Sequence, residues 1–351
     1  MMNTKTKIVV LTENDPNYMQ VIQEAGGILR EGGLVAFPTE TVYGIGANAL
    51  DEEAIKKIYL AKGRPSDNPL IMHISDLNTL DKYVNDINEK SKQLIAQFWP
   101  GPLTLIFHKK NNVPNIITGG LETVAVRMPK HPIAHDIIRS AGIPIAAPSA
   151  NISGKPSPTR GRHVIEDLNG RVDMIIDGGK ATHGLESTVL DMTGEIPSIL
   201  RPGSVTYSMI ESVIGKVSYD NYLEDVTQVP KAPGMKYKHY APKAPIKIIM
   251  GTDDHVTEFI NKQSAINQRQ GLKVGVISPI HRVDFMQGDV VLSIGSIDRP
   301  EEIASNLFKI LRKFDEVNVD IIYSVDFQGE ELNIAIMNRL IKAAGHEIIT
   351  V

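Results

Sequence analysis

The chain has 351 residues, of which 42% are hydrophobic and 22% charged, with a formal net charge of -4 and no cysteine. This composition is that of a soluble globular protein, argues against a dedicated nucleic-acid binder, and excludes disulfides and thiolate metal sites. The length suits two domains rather than one. Met1 to Thr6 is polar and lacks the apolar core of a secretory signal, and no apolar run is long enough to cross a bilayer, so a cytoplasmic location is expected. Aromatic residues make up only 5%, too few for an extensive stacking platform for single-stranded nucleic acid.

Along the chain, the apolar run from Gly33 to Phe37 ends at Pro38 and reads as a buried strand. Glu52 to Ala61 places Ala54, Ile55, Ile58 and Tyr59 at helical spacing. Pro69 to Ile74 reads as a strand, and Asp86 to Phe98 as a helix that stops at the rigid Trp99-Pro-Gly-Pro102 turn. Further strands are predicted over Leu103 to His108, Val124 to Arg127, Ile143 to Ala147, Asp173 to Asp177 and Ser187 to Met192. The mixture, without strict βαβ alternation, predicts an α/β domain built on a twisted mixed sheet.

Between Gly215 and Pro245 the character changes. Val229 to Pro245 carries four prolines, which suppress helix and central strand and predict an extended linker. Tyr237, His239, Tyr240 and several lysines are more than a spacer needs, so the linker is expected to pack against something anionic. Beyond it, strands are predicted over Ile246 to Met250, Leu272 to Ser278, Val290 to Ile294 and Ile321 to Val325. Helices are predicted over Val256 to Gln270, Pro300 to Glu316 and Asn333 to Ala344. That alternation predicts a small parallel, doubly wound domain. Gly271-Leu-Lys-Val-Gly275 lacks the spacing of a dinucleotide fingerprint. The expected boundaries are 1–215, 216–245 for the linker, and 246–351.

Charge gathers in two basic islands. Lys109 to Arg162 holds eight Lys/Arg against Glu122 and Asp136, and Val226 to Thr252 holds five lysines and no acid. Within the first domain two stretches share a vocabulary: Lys62-Gly-Arg64-Pro-Ser-Asp-Asn68 and Pro148-Ser149-Ala-Asn151-Ile-Ser-Gly-Lys-Pro-Ser157. Small hydroxyls and amides with cations, glycine and proline suit a polyanion such as a nucleoside triphosphate. Alternation puts Thr123, Ala125 and Arg127 on one strand face, where a buried guanidinium needs an anionic partner, either Asp/Glu or a carboxylate ligand. Pro38-Thr-Glu-Thr41-Val-Tyr-Gly44 sets two hydroxyls and a carboxylate at a strand end. No Ser-His-Asp order, G-x-S-x-G elbow or metal-ligand spacing is present, so covalent catalysis is not expected.

Lys62-x-Arg64 with Ser149-x-Asn151 and the Pro38 to Gly44 turn resembles the YrdC-like threonylcarbamoyl-AMP synthases over roughly the first 210 residues. The Lys236-Tyr-Lys-His-Tyr-Ala-Pro242 linker and the Asn333 to Ala344 ending resemble the family's two-domain form, with a C-terminal Rossmann-like accessory α/β domain. Gly329-Glu-Glu-Leu departs from the more glycine-rich approach expected before that last helix.

The resemblance implies an enzyme that condenses L-threonine, bicarbonate and ATP to threonylcarbamoyl-AMP and pyrophosphate, a nucleotidyl transfer feeding threonylcarbamoyladenosine formation in tRNA. It implies catalytic roles for Lys62, Arg64, Ser149 and Asn151. It implies threonine contacts from Thr41, His73, Arg127, Ala147 and Ser187. ATP contacts are implied for Lys62, Arg64, Asn68, Thr123, Ser149, Asn151, Ser157 and Arg201, with His239 and Tyr240 folding over the nucleotide from the linker. Mg²⁺ is expected with the triphosphate and without dedicated protein ligands. A downstream transferase complex acting on tRNA is the expected partner, with at most weak direct tRNA contact and a monomer as the default state. An RNA-binding translation module using the first basic island is the alternative. The acidic balance and few aromatics weigh against it.

Overall fold

The computed structural model describes residues 4–220, 239–329 and 331–351. Residues 4–153 with 157–220 form one compact unit, and 154–156 with 239–351 form another. Most of the expected linker, 221–238, lies outside the described residues. Of its described ends, Ser218–Tyr219 pairs with the first sheet, and Tyr240 packs its ring on Phe308 of the second unit, centroids 5.1 Å apart.

In chain order the first unit contains β1 (Lys7–Val10), α1 (Tyr18–Arg30), β2 (Val35–Phe37), β3 (Gly44–Asn48), α2 (Glu52–Lys62) and β4 (Ile71–His73). It continues with α3 (Glu89–Phe98), β5 (Leu103–His108), α4 (Asn115–Thr118), β6 (Thr123–Arg127), α5 (Pro132–Ala141) and β7 (Ile145–Ala146). Then come α6 (Gly161–Leu168), β8 (Met174–Asp177), β9 (Thr188–Asp191), β10 (Ser198–Arg201), α7 (Tyr207–Ile214) and β11 (Ser218–Tyr219). The strands make one mixed sheet in the order β1-β8-β2-β3-β7-β4-β6-β5-β9-β10-β11. The α3 helix starts at Glu89 rather than Asp86, because the Asn88 side chain accepts from Ser91 N and takes the cap. Asp51 caps α2 by accepting from Glu53 N and Ala54 N, and Gly63 closes it at φ 60. Those two stops fix where Lys62 emerges.

The sheet's two faces are not covered alike. Met72, Val124, Val126, Leu105, Phe107 and Leu190 point to one face and join the main core. On the other face α1 and α5 cover the β2–β8 region, with Val35, Phe37, Met174 and Ile176 beneath them. Farther along that second face Ile71, Ala125, Ile106, Val189 and Leu200 form a small apolar cluster of strand residues alone. No described helix of this unit contributes to it, so this part of the sheet is left as a floor.

The second unit contains β12 (Ile246–Met250), α8 (Asp253–Arg269), β13 (Val274–Ser278), β14 (Val290–Ser293), α9 (Pro300–Val317), β15 (Ile321–Val325), α10 (Leu332–Ala344) and β16 (Ile348–Thr350). Its sheet is parallel throughout, in the order β14-β13-β15-β12-β16. The chain steps one way from β12 to β14 and the other way from β14 to β16. Right-handed crossovers therefore put α8 on one face and α9 and α10 on the other, and α9 and α10 do pack together. Both the mixed sheet and the doubly wound parallel domain expected from the sequence are present.

Gly203 follows β10 where backbone crosses backbone: a Cβ there would lie 2.5 Å from Thr188 N and 2.8 Å from Glu186 O. Backbone atoms cannot swing aside as a side-chain tip can. Gly203→Ala is expected to cost about 1–3 kcal/mol of stability, read from the midpoint of urea unfolding.

Candidate active site on one face of the first sheet

Strand alternation builds the site in rows. The register pairs Ile71 with Ala125 and His73 with Arg127. Ile106 faces Ala125 on the next strand, and Leu103 faces Thr188 beyond it. His73 and Arg127 therefore lie in one row, and Thr104, opposite Val189, reaches Ser187 Oγ at 2.7 Å; Ile71, Ala125 and Ile106 form the adjoining apolar row. Thr123 stands beyond that apolar row, four residues from Arg127 and so about 13 Å away along β6. The floor has two polar ends with an apolar strip between.

Arg127 commands the first end. It is 4% exposed. Its Nη2 donates to Glu40 Oε1 at 2.6 Å, its Nη1 to Thr41 Oγ1 at 2.9 Å and its Nε to Gly101 O at 3.1 Å. These bonds leave one N–H on each terminal nitrogen. Of the two partners the sequence allowed, a protein carboxylate is present. Burial alone would push the Glu40 carboxyl up, but the Arg127 charge and hydrogen bond outweigh it and hold it below the ordinary carboxylate value. Glu40 Oε2 is buried without a hydrogen-bond partner among the described residues. Thr39 organises the loop, its Oγ1 lying 2.6 Å from Val42 O and 2.8 Å from Thr41 Oγ1. The backbone N–H groups of His183 and Gly184 donate to Glu40 O and Thr41 O and pin it from the other side.

His73 is wholly buried and its pKa is pushed down to about 3, first by burial and then by the Arg127 charge. Its Nδ1 lies 3.2 Å from Ile71 O and donates to it, so the neutral ring keeps Nε2 as an acceptor. Burial also lowers His131 and His183, with Glu40 opposing it in both. Ser187 is held twice: its Oγ lies 2.7 Å from Thr104 Oγ1, and Arg201 Nη2 donates to it at 3.1 Å. Ala147 N donates to Ile71 O, which places Ala147 beside β4. Thr41, His73, Arg127, Ala147 and Ser187 thus come from five separate segments onto neighbouring parts of one sheet.

The second end is the loop after β7. Lys62 is 1% exposed, and its ammonium donates to Ser149 O, to Asn151 O at 2.6 Å and to Asn151 Oδ1 at 3.5 Å. Ser149 Oγ donates to Asn151 Oδ1 at 2.6 Å. The sequence suggested a phosphate grip for Lys62; here its protons are directed at protein oxygens and brace the 149–151 loop. Asn68 is buried, with Oδ1 unpartnered among the described residues. Thr123 is half-buried at the start of β6. Arg64 Nη2 donates to Pro69 O at 3.2 Å, and Ser157 Oγ to Glu186 Oε1 at 2.5 Å. His239 and Tyr240 belong to the second unit, with Tyr240 at φ 66.

Glu40 and Thr104 were absent from the expected site residues. Glu40 stands inside the Pro38 to Gly44 motif, and its signal was the unpaired inward Arg127. Thr104 had no signal beyond its place at the start of a strand. Among the described residues no group of three or more His, Cys, Asp or Glu stands together to hold a metal ion.

A sheet floor with a buried arginine at one end and a hydroxyl-amide loop at the other, joined to a doubly wound parallel domain, defines a two-domain α/β enzyme of small polar substrates. Residues 27–203 match a family model described as "Telomere recombination", and residues 205–345 one described as "Threonylcarbamoyl-AMP synthase, C-terminal domain". The threonylcarbamoyl-AMP synthase of Bacillus subtilis is 48% identical, over 99% of this chain and 100% of its own. That of Pyrococcus abyssi is 50% identical, over 94% and 96%. A crystal structure of P. abyssi Sua5 complexed with L-threonine matches with a TM-score of 0.93 at 48% identity, covering 99% of this chain and 100% of that one. The chain belongs to the threonylcarbamoyl-AMP synthase family.

Two outcomes follow from the electrostatics. Glu40→Gln removes the charge partner of a buried guanidinium and is expected to cost about 3–5 kcal/mol of stability, measured by chemical unfolding. The folded His73 refuses a proton until about pH 3, whereas an unfolded histidine takes one near pH 6.5. The unfolded chain therefore binds more protons through that window, and stability falls as pH drops through it. His73→Gln is expected to flatten part of that slope in unfolding titrations.

Proposed function

We propose that this face of the first sheet binds L-threonine at its Arg127 end and ATP at its Ser149–Asn151 end, and that the protein condenses them with bicarbonate into threonylcarbamoyl-AMP and pyrophosphate. The observation that carries this reading is Arg127: a buried guanidinium already paired with Glu40, yet keeping one N–H on each terminal nitrogen beside an apolar floor. A small amino acid's carboxylate takes those two protons as a charge-assisted pair. His73 Nε2 and Ser187 Oγ then accept from and donate to the threonine hydroxyl, and the substrate methyl rests towards the Ile71–Ala125 strip.

The chemistry is alignment plus electrostatics. The threonine amine attacks bicarbonate carbon, water leaves, and a carbamate forms. A carbamate oxygen then attacks the α-phosphorus of ATP, the bond to the β-phosphate oxygen breaks, and pyrophosphate departs, which makes the reaction a nucleotidyl transfer. Asn68, Thr123, Ser149 and Asn151 supply neutral donors and acceptors along the nucleotide, and Arg64 and Arg201 supply fixed charge. Lys62 acts by holding the 149–151 loop in shape. Mg²⁺ enters as the counter-ion of the triphosphate and is part of that substrate. The product is a reactive mixed anhydride, so a transferase acting on tRNA is its natural consumer.

Pyrophosphate release is the test. It should require L-threonine and bicarbonate together. Serine, one methyl smaller, should support it about 10–200-fold less efficiently. Alanine, which cannot meet His73 and Ser187, should give none. Arg127→Lys keeps the charge but loses the fork, and is expected to weaken threonine binding about 10–150-fold, the worth of a charge-assisted bond. Release indifferent to the amino acid, or unchanged threonine affinity in Arg127→Lys, overturns the assignment.

A further inference from the structure

The second unit carries a cavity that the reaction above does not use. It has a volume of about 230 Å³ and lies at the carboxyl ends of β12, β13 and β15. This is where the sheet changes winding direction: the connection after β12 leaves towards one face and that after β15 towards the other. Such switch-point crevices are where doubly wound sheets take ligands.

The chemistry of the walls selects among ligands. Asp326, just past β15, has an Oδ2 that is buried without a hydrogen-bond partner among the described residues. A buried carboxylate oxygen in that state calls for a donor. Arg282 does not answer it, because its Nη1 donates to Asp253 Oδ1 at 2.5 Å and its Nη2 to Asp253 O and Thr257 Oγ1. With Arg282 neutralised by Asp253, Asp326 leaves the lining net negative. The first turn of α8 also carries Asp253 and Asp254, which occupy the helix-dipole position a phosphate would want. Phosphates are therefore disfavoured. The remaining wall is mixed: Ile303 and Phe327 are buried, Ile297 is 51% exposed at the rim, and His281, Gln328 and Asn333 add polar groups that can meet the edge of a base.

We propose that this crevice is a binding site for an uncharged nucleoside. The ribose hydroxyls supply donors to Asp326, as they do to the strand-end acid of other doubly wound sheets, and the flat base lies against Ile297, Ile303 and Phe327. The volume falls below the roughly 300–1,000 Å³ of pockets for drug-sized ligands, which fits a ligand without its phosphates.

The experiment is methyl NMR on the full chain labelled at isoleucine δ1, with excess α,β-methylene ATP present to occupy the nucleotide site of the first unit. Adenosine is the probe. The Ile297 and Ile303 methyls should shift saturably, and AMP should shift them at least tenfold more weakly because of the negative lining. Asp326→Asn should lower adenosine affinity at least tenfold, keep an otherwise wild-type methyl spectrum, and release pyrophosphate at the normal rate. No saturable shift of those two methyls at millimolar adenosine overturns the proposal. So does equal binding by Asp326→Asn, by AMP, or a response to a simple amine such as ethanolamine in place of adenosine. Each of these readouts is independent of catalysis, so the proposal can fail while the synthase reading stands.

Discussion

A guanidinium inside a sheet face cannot stand alone, and much of the first unit follows from how Arg127 is answered. Desolvating a cation is costly unless a carboxylate meets it with good geometry. Glu40 does so at 2.6 Å, across 87 positions of sequence. To deliver that carboxylate, the segment after β2 has to reach across the sheet instead of turning tightly into β3. Thr39 and Thr41 bond each other and the backbone to keep the segment folded on itself. Tyr43 ties its far end by donating to Gly179 O at 2.6 Å, and the 183–184 backbone clamps its middle. The segment between β2 and β3 is thus held at several points above the ion pair it completes.

The two ends of the floor solve different problems. The Arg127 end concentrates fixed charge, where the proposed reading seats a carboxylate, and keeps His73 neutral so that it offers a lone pair rather than a second cation. Its neighbour Arg127 and its own burial both enforce that state. The other end carries amide and hydroxyl groups of the 149–151 loop, whose orientation comes from Lys62, an ammonium directed at loop oxygens. A flexible point charge is poor at imposing geometry from the surface. Buried among three oxygens, it becomes a fixed joint between α2 and the loop after β7. The cap at Asp51 and the stop at Gly63 set where that joint falls.

The strands of the floor were legible because Thr123 to Arg127 alternates cleanly and Leu103 to His108 is β-rich. So was the inward Arg127, as a charge in search of a partner. The motifs around Lys62 and Ser149 were legible through their resemblance to a known family. What sequence does not display is convergence: whether Lys62 meets phosphate or carbonyls, and which acid meets Arg127, depends on residues 86 to 89 positions away. Several elements went unread, and for two of them, α1 and β3, the reason is related. Helix α1 contains Gly26 and Gly27, which weaken a helical pattern, yet a Cβ at Gly26 would sit 2.6 Å from Ser140 Oγ where α1 meets α5. Strand β3 carries Gly44 and Gly46, poor strand residues, and a Cβ at Gly46 would strike Phe37 and Ile145 at 2.7 and 2.8 Å. Tertiary packing selected glycine against local propensity in both.

The same floor explains how selective such a site can be. An apolar strip can reward threonine's methyl by about 0.8 kcal/mol for a buried carbon of that size, which alone separates threonine from serine by less than tenfold. Shape must supply the rest: a rigid floor, fixed by the Arg127–Glu40 pair, cannot close on the gap that serine leaves. Rejection of alanine or valine has a different source. His73 has Nδ1 committed to Ile71 O and Ser187 Oγ is bonded to Thr104 and Arg201, so in the proposed reading a ligand without a hydroxyl leaves the histidine lone pair without its donor. Discrimination on the hydroxyl therefore exceeds discrimination on the methyl. The proposed reading of the hydroxyl depends on the neutral state of His73, because an imidazolium could only donate and would repel the cation beside it.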